Sequence, residues 1–109
     1  MTYYFVKVPE LPREVSHQMG TVEILENSTE EEQEVKAGQN IAIVENWWAR
    51  MALKAVGPGY VSKTFFLPGA HVQIGDPFAI IICDPENAPK DNVTCVLEVI
   101  EHMREKPSK

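Results

Sequence analysis

Cysteine is scarce in this chain of 109 residues. The two present, Cys83 and Cys95, lack the C-x-x-C spacing of zinc and redox sites. They read as two reduced thiols. The opening MTYYFVKVPEL has no basic region followed by a long apolar stretch, so no secretory signal is expected there. No apolar run approaches the length that spans a bilayer. These absences point to a cytoplasmic protein, and they leave the sequons Asn27-Ser28-Thr29 and Asn92-Val93-Thr94 without a glycosylation route. Clusters of Lys and Arg are missing as well, and the formal net charge is −6. Phosphate backbones and anionic membrane surfaces require such clusters, so neither nucleic acid nor membrane is an expected partner. Catalytic signatures are absent too. His17, His71 and His102 are scattered, with no partner at ligand spacing, and no nucleophile elbow, phosphate-cradling loop or dinucleotide fingerprint occurs. The acidic run Glu30, Glu31, Glu32 and Glu34 lacks the glycine and aspartate spacing of a cation cage and reads as a solvated loop.

What is present is enough apolar sequence, 44%, for one globular domain with a modest core. A repeat organises it. Residues 20–45 and 59–83 match position by position near their ends: Val35 answers Val72, Gly38 answers Gly75, and Ile41, Ala42, Ile43 and Val44 answer Phe78, Ala79, Ile80 and Ile81. At their starts Gly20 and Val22 answer Gly59 and Val61, with the difference in spacing absorbed by the acidic loop. Two copies are too few for a solenoid and imply internal pseudo-two-fold symmetry. Each copy reads as β. Val22, Ile24 and Val61 alternate with polar residues, and residues 41–44 and 78–82 are short apolar runs bounded by glycine turns. A further strand at 3–8 is closed by Pro9, and 50–55 alternates before Gly57-Pro58-Gly59 breaks it. The tail differs. Val93, Val96, Leu97, Ile100 and Met103 fall at helical spacing, which predicts a short amphipathic helix in 93–104, although the β-branched content also permits a strand. From Arg104 onward the mixed charges read as a frayed, solvated end.

These elements resemble the lipoyl and biotinyl carrier domains. Val6-Lys7-Val8-Pro9-Glu10-Leu11 is similar to their opening, and Val35-Lys36-Ala37-Gly38-Gln39 followed by Ile41 to Glu45 is similar to their V-x-x-G-Q-x-L-A-x-I-E. Residues 51–61 and Val72-Gln73-Ile74-Gly75 resemble the second half. The resemblance implies an all-β fold: a flattened β-barrel or sandwich of two four-stranded sheets over residues 1–88. Residues 89–109 would then form a C-terminal extension carrying the short helix.

Both tryptophans of the chain, Trp47 and Trp48, sit side by side. In carrier domains the lysine that takes the cofactor lies in a tight hairpin. The resemblance, aligned without a gap between Glu45 and Gly59, places Trp48 at that lysine. An indole has no nucleophilic amine, so no lipoate or biotin is expected at this position. Asn46 suits the first position of a turn, which puts both indoles at its centre. The residues expected to act are therefore Asn46, Trp47 and Trp48, as an interaction surface for a protein partner, with no catalysis and no metal; the other reading of the pair is packing, one ring folded over the barrel end and the second covering it. The alternative is a swinging-arm carrier subunit of a dehydrogenase or carboxylase multienzyme complex, with lipoate or biotin on Lys54. On this register Lys54 stands in the strand leaving the hairpin.

Overall fold

Val22 and Ile24 are buried while Thr21, Glu23 and Leu25 beside them are less so, the signature of a strand with one face on a core. The computed structural model describes residues 1–15 and 20–104, and repeats this pattern over nine strands. They are β1 (Thr2–Lys7), β2 (Thr21–Asn27), β3 (Glu34–Val35), β4 (Asn40–Glu45), β5 (Ala49–Lys54), β6 (Gly59–Thr64), β7 (His71–Gln73), β8 (Pro77–Cys83) and β9 (Val96–His102). Two short 3₁₀ turns, Arg13–Val15 and Pro85–Asn87, are the only helical pieces among the described residues. His17 and the tail 105–109 lie outside them.

One antiparallel sheet runs β1-β8-β6-β3 and the other β7-β2-β4-β5-β9. Exchanging β1 with β5, β2 with β6, β3 with β7 and β4 with β8 converts the first order into the first four strands of the second. The repeat in the sequence is thus a repeat in space, and each half lends its short third strand to the other half's sheet: β3 pairs β6, and β7 pairs β2. The two V-x-x-G elements are the matching turns. Gly38 and Gly75 have φ of 83° and 91°, a left-handed conformation that costs glycine little and other residues more. One apolar core joins the inner faces, with Val6, Ile24, Ile41, Val44, Met51, Leu53, Val61 and Ile81 all at most 1% exposed.

The tail departs from the helical expectation. Residues 96–102 form β9, which pairs antiparallel with β5 and makes its sheet five-stranded instead of four-stranded. Leu97 and Val99 turn inward and pack on the core, while Val96 and Ile100 face out. A register shift opposite Arg50 and Met51 leaves Ile100 unmatched, and this bulge breaks the simple alternation of a strand. With the apolar residues no longer at a period of two, they fell by chance near helical spacing. The open edge of β5 supplied what a short isolated helix lacks, a row of waiting hydrogen-bond partners.

Candidate functional site

β4 and β5 are joined by the residues 46–48, so both tryptophans stand at the tip of a tight hairpin. Asn46 builds the tip. Its side-chain Oδ1 accepts the backbone N–H of Trp48 at 2.8 Å and of Ala49 at 3.0 Å, and its own N–H donates to the Ala49 carbonyl at 3.0 Å. Asparagine does this readily because its short side chain mimics a backbone carbonyl within a turn. Its Nδ2 donates to the carbonyl of Val15, tying the tip to the turn that follows β1. The tip is held at both faces.

The two indoles part company here. Trp48 is half-buried and packs against the core, and its Nε1 donates to no protein acceptor. Trp47 points the other way and is 60% exposed. The pair thus divides into one ring that packs on the core and one that stays largely in solvent.

Arg104, exposed as expected, is nevertheless tied to the tip. Its guanidinium carbon lies 3.6 Å from the centroid of the Trp47 ring, and its Nη1 donates to the Trp47 carbonyl at 2.9 Å. The backbone N–H groups of Met103 and Arg104 donate to the Trp48 carbonyl at 2.8 and 3.3 Å. The end of β9 therefore hangs from the hairpin tip. Sequence reasoning missed this contact because the two partners are far apart in the chain, and only the strand form of β9 brings them together.

Beside Trp47 opens a cleft of about 420 Å³ lined also by Glu23, Glu45, His71, Met103 and Arg104. The register explains the grouping: Glu23 sits across from His71 on one side and from Glu45 on the other. The row continues through Arg50, opposite Glu45, to Glu101, opposite Arg50. Arg50 bonds Glu45 Oε2 through Nε at 3.1 Å and Nη2 at 2.9 Å, and reaches Glu101 at 3.8 Å. His71 thus meets carboxylates, but not Cys83, which is buried at the end of β8 in the other sheet. Among the described residues no group of three or more His, Cys, Asp or Glu side chains is arranged to hold a metal. Cys95 is buried and its pKa is pushed up to about 12 by that burial; burial likewise pushes the Cys83 thiol up. High thiol pKa values keep both sulfurs protonated and poorly nucleophilic at neutral pH.

The tip carries no amine to which a carboxylic cofactor could be joined. Lys54 is at the far end of β5, opposite Asn40 and Val96, and its Nζ is paired with Glu98 at 2.6 Å. Across a strand of that length the separation from the tip is on the order of 17 Å. The acidic residues 30–34 also lie away from the tip, since they precede the opposite end of β4.

Among the described residues no helix is long and apolar enough to cross a membrane. No curated protein shows significant similarity to the chain. A family model described as "Biotin-requiring enzyme", that of the biotin and lipoyl domains, matches residues 6–81, from the buried end of β1 through most of β8. With well over half of its length matched, and with two sheets related by the symmetry read from its repeat, the chain belongs to the biotin/lipoyl domain family.

Proposed function

We propose that this chain is a non-enzymatic biotin/lipoyl-type domain that docks on a protein partner through its β4–β5 hairpin and carries no cofactor on that tip. Domains of the family are carriers, not themselves catalytic, and work within multienzyme complexes, so the tip is the part of the fold offered to other proteins. The observation that carries the reading is Trp47: a large aromatic ring, 60% exposed, on a turn fixed by the bonds of Asn46. Exposed tryptophans on rigid supports are typical anchors of interfaces, because they bury much area and lose little conformational entropy on binding. In this reading Trp48 stands where the family's chemistry calls for an amine, and its packing on the core gives the tip a firm base.

The residues present do not fit a covalently held lipoate or biotin at the tip, and Lys54 is engaged by Glu98. Two measurements on protein from its native cell test the reading. Intact mass is expected to equal that of the bare chain; an added lipoyl or biotinyl mass on Lys54 would instead make it a swinging-arm carrier. Co-purified subunits are expected to be lost with Trp47→Ala, with the melt almost unchanged. Retention of the same subunits in the same amounts would contradict docking through the tip.

A further inference from the structure

The cleft beside Trp47 has the chemistry of a receptor for a guanidinium group, and the chain already places one there. Arg104 brings its central carbon to 3.6 Å from the ring centroid and bonds the carbonyl of the same residue. Of the two carboxylates that line the cleft, Glu45 is already paired with Arg50, but acceptor capacity remains. Among the described residues Glu23 has no ion-pair partner, and both bonds from Arg50 fall on Oε2 of Glu45, leaving its Oε1 for another donor. Arg104 itself is exposed and lies two residues beyond the end of β9, so its side chain leaves the ring without disturbing any strand. We propose that the Trp47 cleft binds an arginine side chain of a protein partner, and that Arg104 occupies this place in cis until the partner displaces it.

This rests on the docking reading above and names its chemistry. Indole is the best of the aromatic faces for a cation, and a planar guanidinium can stack on it while donating in its own plane to a carbonyl and to carboxylates. An ammonium has no plane to stack and no fixed fork of donors, so it meets the ring and the carboxylates less well. The formal charge of −6 favours a basic partner in general, but Glu23 and Glu45, which adjoin Trp47, determine where its cation is received. An exposed intramolecular contact of this kind is weak enough to be exchanged, yet it lowers the affinity for any competitor of the same chemistry.

The test is a titration of the full chain with the peptide acetyl-Gly-Arg-Gly-Arg-Gly-amide and its lysine counterpart, followed by calorimetry. Arg104→Ala removes the resident guanidinium and is expected to bind the arginine peptide at least fivefold more tightly than the unmodified chain. Adding Trp47→Ala or Glu23→Gln to Arg104→Ala is expected to reverse that gain, and the lysine peptide should bind several-fold more weakly. Three results would overturn the proposal: no gain with Arg104→Ala, an undiminished gain with Trp47→Ala added, or equal binding of the two peptides. Thermal melts of each variant confirm that folded protein is compared. If Trp47→Ala still abolishes partner association while Arg104→Ala leaves peptide binding unchanged, the cation exchange fails and docking stands. If Trp47→Ala keeps the partner, both fail.

Discussion

Asn46 does more for the tip than either tryptophan. Its side chain occupies three backbone groups: the N–H of Trp48, the N–H of Ala49 and the carbonyl of Val15. Asn46→Ala leaves these part-buried groups without their partners and is expected to cost about 2–3 kcal/mol, read by urea unfolding. Asn46→Asp keeps the acceptor but not the donor, and should recover part of the loss. At the same scale, Cys95 makes stability depend on alkaline pH. Its folded pKa, pushed up to about 12 by burial, stands above the ordinary thiol value of 9.0, so the folded state holds a proton that the unfolded state releases. That contribution is complete below about pH 9 and is lost as pH rises towards 12. Unfolding midpoints measured from pH 8 to 11 should fall, and Cys95→Ala should flatten the decline, whatever it costs at neutral pH. Tyr4, raised to about 12 first by burial, adds to the fall only above pH 10 and remains in the variant.

At the scale of elements, the strands of the repeat were legible because each carried its own evidence. Alternating Val22 and Ile24, the apolar runs 41–44 and 78–82, and the two V-x-x-G turns name strands and turns without help from elsewhere. Gly59, matched in the sequence to Gly20, has a reason visible only in space. A Cβ there would lie 2.7 Å from the carbonyl oxygen of Ile82 and 2.8 Å from Ile81 Cγ2. Neighbouring backbone cannot yield as a flexible side chain would, so Gly59→Ala is expected to destabilise by about 1–3 kcal/mol in an equilibrium unfolding measurement. β9 was not legible. Its bulge at Ile100 spoils the period of two, and its partner β5 is remote in sequence. The candidate site divides in the same way. Asn46, Trp47 and Trp48 were legible from one tripeptide, whereas Glu23, Glu45, His71 and Arg104 meet through cross-strand register, which a single sequence does not display.

At the scale of the whole molecule, pseudosymmetry is broken on one side only. β9 adds a strand to the edge of β5 and ends over the hairpin, while among the described residues no strand pairs with the outer edge of β1, the symmetry mate of β5, where Lys7 N–H donates to the Thr94 hydroxyl. The family match stops at residue 81, so this asymmetry comes from sequence beyond it. Charge is divided as well: the 30–34 acids lie at the end away from the tip, beyond a Debye length of about 8–10 Å at ordinary salt, so they give the tip little steering. The account depends most on the division of the tryptophan pair between fold and surface, and urea unfolding of the two single alanine variants tests that directly. Trp48→Ala opens space against the core and is expected to lose about 2–4 kcal/mol, whereas Trp47→Ala removes an outward ring and should lose less than about 1 kcal/mol. Equal losses, or a larger loss at Trp47, would contradict the assignment of Trp47 to the surface.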